Sequence, residues 1–152
     1  MATATQTLVA TVKSELESHL PALLTAAGVD VPIVYLTGEP DLVPSTKTPA
    51  VAVDVPEYDQ EGFIGSGGKR KSRVLVHFLI AGSDGEAVAT AQHAYMDLIV
   101  KVLESEVSIG AAKLAVTDAQ NTPNFSMRGS SSIYRGGAVS AELRLSRSRG
   151  DS

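Results

Sequence analysis

The sequence holds no cysteine and no tryptophan, and only three phenylalanines and four tyrosines among 152 residues. Without cysteine there is no disulfide, no thiolate metal site and no cysteine nucleophile, a usage compatible with a reducing cytoplasm. With so few aromatics, core volume has to come from Val, Leu, Ile and Ala. No stretch approaches the roughly 18 consecutive apolar residues of a membrane span. The first ten residues lack the basic region and apolar run of a signal peptide, so we expect neither membrane nor secretion. Positive charge is not in excess either: a net charge of −4 gives no global attraction to nucleic acid. What remains is an ordinary balance, 43% hydrophobic and 20% charged, sufficient for a packed core. The length fits a single domain over 1–152, with a polar, frayed tail at 146–152.

Periodicity divides the chain into alternating helical and extended segments. Residues 6–27 read as a helix, with Leu8, Val12, Leu16 and Leu20 four apart and Val9 and Leu23 widening the stripe. Pro21 predicts a kink or a fresh helix start, and Gly28 a C-terminal cap. Strands follow at 33–37 and 50–55, then a glycine-rich loop over 56–72, then a strand at 73–81 that is apolar on both faces. A second helix runs over 84–104, opened by a capping box of Ser83 and Glu86. Its stripe is Val88, Ala91, Tyr95, Leu98, Ile99 and Val102. Two more strands occupy 113–118 and 133–147. This order is α+β: a mostly antiparallel sheet with two helices packed on one face.

No catalytic apparatus assembles from these residues. Gly68-Lys69 resembles the end of a phosphate-binding loop, but Phe63 stands where the template needs glycine and Arg70 where it needs Ser or Thr. His19, His77 and His93 share no metal-ligand spacing. Asp54, Glu57, Asp59 and Glu61 match no cation-loop template, and Ser130-Ser131-Ser132 has no nucleophile-elbow context. Lys69, Arg70, Lys71 and Arg73 form the one basic cluster. A DNA-binding module using that cluster is the rival reading, although no aromatic interleaving accompanies it. We therefore expect a non-enzyme with no cofactor and no metal.

One feature points to function. The helices suffice to cover Val51, Val53, Val55, Val74, Val76, Phe78, Ile80, Leu114, Val116, Val139, Leu143 and Leu145. The opposite face keeps Ala50, Ala52, Leu75 and Leu79, with His77 among them and nothing evident left to cover it. An exposed apolar patch with a polar rim marks an interaction surface, and about 800 Å² per partner makes a stable one. The expected subunit interface is Leu75, His77, Leu79 and Ala52. The expected partner-contact loop carries Phe63, Ile64, Lys69, Arg70, Lys71 and Arg73.

Several segments then resemble one family. Val12-Lys13-Ser14-Glu15-Leu16 and His19-Leu20-Pro21-Ala22-Leu23-Leu24 resemble the N-terminal helix of tail terminator proteins of long-tailed bacteriophages. Pro49-Ala50-Val51-Ala52-Val53, the helix Ala91-Gln92-His93-Ala94-Tyr95-Met96-Asp97-Leu98 and the strand Gly136-Gly137-Ala138-Val139 are similar too, so the pattern covers about 10–147. The resemblance implies a structural virion subunit of the tail and neck, assembled in the host cytoplasm. It closes into a homo-oligomeric ring, commonly a hexamer, that caps the tail tube and joins the tail to the head connector. Its implied partners are further copies of itself, the tail tube protein and the head–tail connector or stopper protein. Genomic DNA passes through the lumen without specific binding. A different neck, tail-completion or head-closure subunit is the nearest alternative. Gly65-Ser66-Gly67-Gly68 departs from the family's pattern.

Overall fold

A computed structural model describes residues 4–38, 47–55, 58–59, 71–109, 112–121 and 133–145, with backbone alone at 4–5, 58–59, 71–72, 109, 112 and 143–145. Helix α1 (Ala4–Ala26) buries Leu8, Val9, Val12, Leu16, Leu20 and Leu24. It runs through Pro21 without a fresh start. The missing amide removes one backbone bond, but Leu16, Leu20 and Leu24 are fully buried on either side and hold the turn in place. Gly28 ends the helix at φ +75°. Its N–H donates to the Thr25 carbonyl at 3.0 Å and the Val29 N–H to the Leu24 carbonyl at 2.9 Å. Those two reversed bonds satisfy carbonyls the helix leaves open, and the conformation suits glycine.

Strands β1 (Val34–Thr37), β2 (Ala50–Asp54), β3 (Tyr58–Asp59) and β4 (Lys71–Gly82) precede helix α2 (Gly85–Glu106); β5 (Ser108–Ile109), β6 (Ala112–Asn121) and β7 (Ile133–Leu145) follow it. The sheet order is β1-β2-β4-β7-β6-β5, with β3 beside the start of β4. Every pairing is antiparallel except β1 with β2. Both helices pack on one face of this sheet, so the architecture is α+β as expected. Most element ends shift by a few residues from the sequence reading and the short β5 is additional to it; three departures have a clear physical cause. Tyr58 and Asp59 pair with Ser72 and Lys71, which makes the supposed loop at 56–72 partly a hairpin. Strand β6 runs on to Asn121 past an irregularity between Val116 and Asp118, where a β-bulge breaks the alternation that marks a strand in sequence. And α2 is not capped by Ser83. Asp84 is the N-cap, its Oδ1 accepting from the N–H groups of Glu86 at 3.0 Å and Ala87 at 3.4 Å. A carboxylate placed there also meets the positive end of the helix dipole, which a serine hydroxyl does less well.

The core lies between the helices and the sheet. Val51, Val53, Val74, Val76, Phe78, Ile80, Leu114, Val139 and Ala141 from the strands meet Val88, Tyr95, Met96, Ile99, Val102 and Leu103 from α2 and the stripe of α1. Val55 and Val116 are only partly buried, and the side chains of Leu143 and Leu145 lie outside the described residues. Two consecutive glycines set how closely β7 and β4 approach. A Cβ on Gly136 would stand 2.5 Å from the Phe78 carbonyl oxygen. One on Gly137 would stand 2.8 Å from the Phe78 ring and 2.9 Å from the Gln120 carbonyl oxygen. The space left free at Gly137 is taken by that ring, which stacks on Tyr95 at 5.7 Å between centroids. Tyr95 in turn donates its hydroxyl to the Asp30 carbonyl at 2.6 Å, tying α2 to the segment that leaves α1.

Two phenols are held neutral by this packing. Burial, then the charge of Glu17, pushes the Tyr35 hydroxyl up to about 12. Burial, then Tyr35 and Asp30, pushes Tyr95 higher still. The Tyr35 hydroxyl is itself buried with no hydrogen-bond partner. Neither described helix is long and apolar enough to cross a membrane.

Gly137→Ala should destabilise the fold by about 1–3 kcal/mol, because the Phe78 ring has to leave its stack; urea denaturation measures it, and an unchanged midpoint contradicts the interlock. Stability should also fall at high pH. A solvated phenol ionises near 10, so between there and about pH 12 the unfolded chain loses protons that the folded chain keeps. The contribution is complete below pH 10 and lost as pH rises through that window. Tyr35→Phe should shallow the decline and leave stability at pH 7 unchanged or slightly higher, since the lost hydroxyl had no partner. Thermal melts of both proteins across pH 8–12 test this, and parallel slopes contradict it.

Candidate functional site

Alternation along the strands places Val34 and Leu36 of β1, Ala50 and Ala52 of β2, Leu75, His77 and Leu79 of β4 and Ala138 of β7 on the face without helices. The cross-strand register brings the expected interface residues together. Ala52 stands between Leu36 and His77, His77 between Ala52 and Ala138, Leu79 between Ala50 and Gly136. Small residues on both sides of His77 let its ring lie among them, and its Nε2 is buried without a hydrogen-bond partner.

This face is less bare than composition implies. Ala50 and Ala52 are 4% and 1% exposed in the single chain, each low between larger neighbours. Leu75, His77 and Leu79 are half-buried. Tyr134, which opposes Ala81 at one end of the face, is fully buried, so the chain itself covers that end. The expectation of uncovered leucines is corrected accordingly. What the structure presents is a shallow, half-sheltered apolar strip over β1, β2 and β4. Toward β6 it gives way to Ser140, Glu142, Lys113, Asp118 and Gln120, with Gln120 donating to Asp118 at 3.0 Å. Arg73 is exposed at the lower end, in register with Glu142. Of the expected partner-contact loop, Phe63, Ile64, Lys69 and Arg70 lie outside the described residues, and Lys71 is seen only as the backbone that pairs with Asp59.

Elsewhere, chemistry-bearing residues are dispersed. His19 on α1 lies 3.1 Å from Glu15 and 3.6 Å from Glu106, a partly exposed link between the helices and hence a weak one. Among the described residues no group of three or more histidines and acids is placed to hold a metal ion. A cleft of about 640 Å³ opens between Val29, Asp30, Pro49, Ile80 and the start of α2, with Asp84 and Glu86 at its rim. Val31 and Ile33, just beyond Asp30, are the large hydrophobics exposed among the described residues, at 39% and 59%.

One polar group escaped the sequence reading. Gln92, 1% exposed, joins the α2 stripe beside the expected Ala91, which packs partly buried against the core. Its Nε2 donates to the Gly136 carbonyl at 2.8 Å and its Oε1 accepts from Arg135 Nη1 at 2.9 Å. A signal existed: Ile133, Arg135, Gly137 and Val139 share one face of β7, and a lone arginine there has to find a polar partner.

No family model matches the chain, and no curated protein sequence does. Among solved structures, a chain in a structure described as "Virion of native gene transfer agent (GTA) particle" is similar over 94% of this chain and 99% of its own. Its identity is 14% and its TM-score 0.50. The likeness is one of fold.

Proposed function

We propose that the chain is a structural subunit of a phage-like virion, a tail terminator that closes into a ring, caps the tail tube and joins it to the head connector. The observation that supports it most is the end-to-end likeness of fold to a chain of a gene transfer agent virion. The residue patterns of both helices and of the β2 and β7 strands, similar to those of tail terminators, point to the same class. The apolar strip around Ala52, Leu75, His77 and Leu79 serves as the subunit interface in this proposal, and Phe63, Ile64, Lys69, Arg70, Lys71 and Arg73 as the surface for tube or connector. A subunit of this kind needs no cofactor and no catalytic residue. A repeated heterologous contact closes into a ring when its rotation allows and otherwise grows a filament. An acid-rich lumen lets DNA pass without holding it.

Light scattering of the purified chain, alone and with tail tubes, should give ring-sized particles. Leu75→Asp or Leu79→Asp should weaken that association by about tenfold or more while far-UV circular dichroism stays native, because each puts a charge into an apolar contact. A parent chain that is monomeric under all conditions contradicts the proposal, and a variant that unfolds assigns the leucine to the core. Duplex DNA binding should be weak. Tight, steeply salt-dependent binding that disappears when Lys69, Arg70, Lys71 and Arg73 are neutralised would favour a DNA-binding module instead.

A further inference from the structure

We infer that the cleft at the start of α2 is the socket for the arginine-bearing arm that follows β7, supplied by a second copy of this chain; the identity of that partner rests on the ring reading above. The cleft is walled by apolar Val29, Pro49 and Ile80 and by the acids Asp30, Asp84 and Glu86. Two of these acids sit on fixed backbone. The Asp30 carbonyl accepts from the buried Tyr95 hydroxyl at 2.6 Å, and Asp84 caps α2 through Oδ1, which leaves Oδ2 to a ligand. The exposed Val31 and Ile33 follow Asp30, and the Ile33 N–H donates to the Pro49 carbonyl at 2.8 Å, so uncovered apolar surface adjoins the cleft wall.

Such a lining selects a cation on an apolar stem. Among the described residues it includes no lysine or arginine: Lys47, beside Thr48, and Arg135, in register with Ile80, do not line it, and Arg135 donates through Nη1 to Gln92. Carboxylates beside hydrocarbon suit arginine, whose planar guanidinium takes an acid in bidentate fashion while its methylenes lie on the apolar wall. The chain carries a matching segment. Residues 144–149 read Arg-Leu-Ser-Arg-Ser-Arg with no acid among them, and the next acid is Asp151.

The arm cannot serve its own cleft. Ile133, at the start of β7, pairs with Gly82 in the cleft wall, and Leu145 ends β7 at the opposite end of the sheet, beyond the Arg73–Glu142 register pair. The 13 residues of β7, at about 3.3 Å each, put roughly 40 Å between arm and cleft. Arg149 lies at most about 14 Å from Leu145. Arm and socket therefore meet only between copies. They are different patches at opposite ends of one sheet, so the contact is head-to-tail, the type that closes rings. A polyanion such as DNA is repelled by the acids of this cleft.

The chain has no cysteine, so introduced thiols report alone. A chain carrying Glu86→Cys and Arg149→Cys, oxidised with copper phenanthroline, should give a ladder of disulfide-linked multimers on a denaturing gel. Lys101→Cys, exposed in the last part of α2, combined with Arg149→Cys should give none. Arg147→Ser with Arg149→Ser should melt with the parent yet associate about tenfold more weakly in light scattering. Rings that form without the Glu86–Arg149 ladder, or as tightly in the serine variant, overturn the inference and leave the ring reading intact. Equal cross-linking from Lys101, a cross-linked product of monomer size, or a lowered melt of the serine variant overturns it as well. A parent that scatters as a monomer overturns the ring reading, and the gel then judges the socket separately: no ladder removes it, whereas a ladder keeps it.

Discussion

The fold depends on two consecutive absences of a side chain. At Gly136 and Gly137 strand β7 comes so close to β4 that any Cβ would collide with the Phe78 carbonyl or its ring. The vacated space admits that ring, the ring stacks on Tyr95, and Tyr95 reaches the Asp30 carbonyl. One column of contacts therefore runs from the sheet through α2 to the connection between α1 and β1. In a chain with few aromatics, this is where the two largest buried rings in contact do their packing, and interiors at such density tolerate little added volume.

The same pair of strands divides the molecule chemically. On the helix side β4 presents Val74, Val76, Phe78 and Ile80, all buried. On the other side the alternation yields Leu75, His77 and Leu79, half-buried beside alanines. A sheet sheltered on one face and shallow on the other suits a part that is completed by neighbours.

Much of this was legible from residue order. The stripe Leu8, Val12, Leu16 and Leu20 and the alternation of Val74, Val76, Phe78 and Ile80 each have one dominant period, and both elements stand where that period put them. Local rules failed where two groups competed. Ser83 and Glu86 match a capping box, but Asp84 is one residue nearer and carries a charge. Pro21 argues for a break that buried leucines on either side override. The bulge after Val116 hid the second half of β6. The open face illustrates a different limit: alternation shows which residues share it, while how far Ala52 sinks between Leu36 and His77 depends on register across three strands. Gln92 and Arg135 were missed because their bond joins positions 43 apart in sequence.

Whether the chain occupies the junction of head and tail is decided most directly by imaging particles that carry a tagged copy of it. The account predicts a single ring of label at the head-proximal end of each tail. Label absent from finished particles, or spread over the capsid or along the tube, would contradict it.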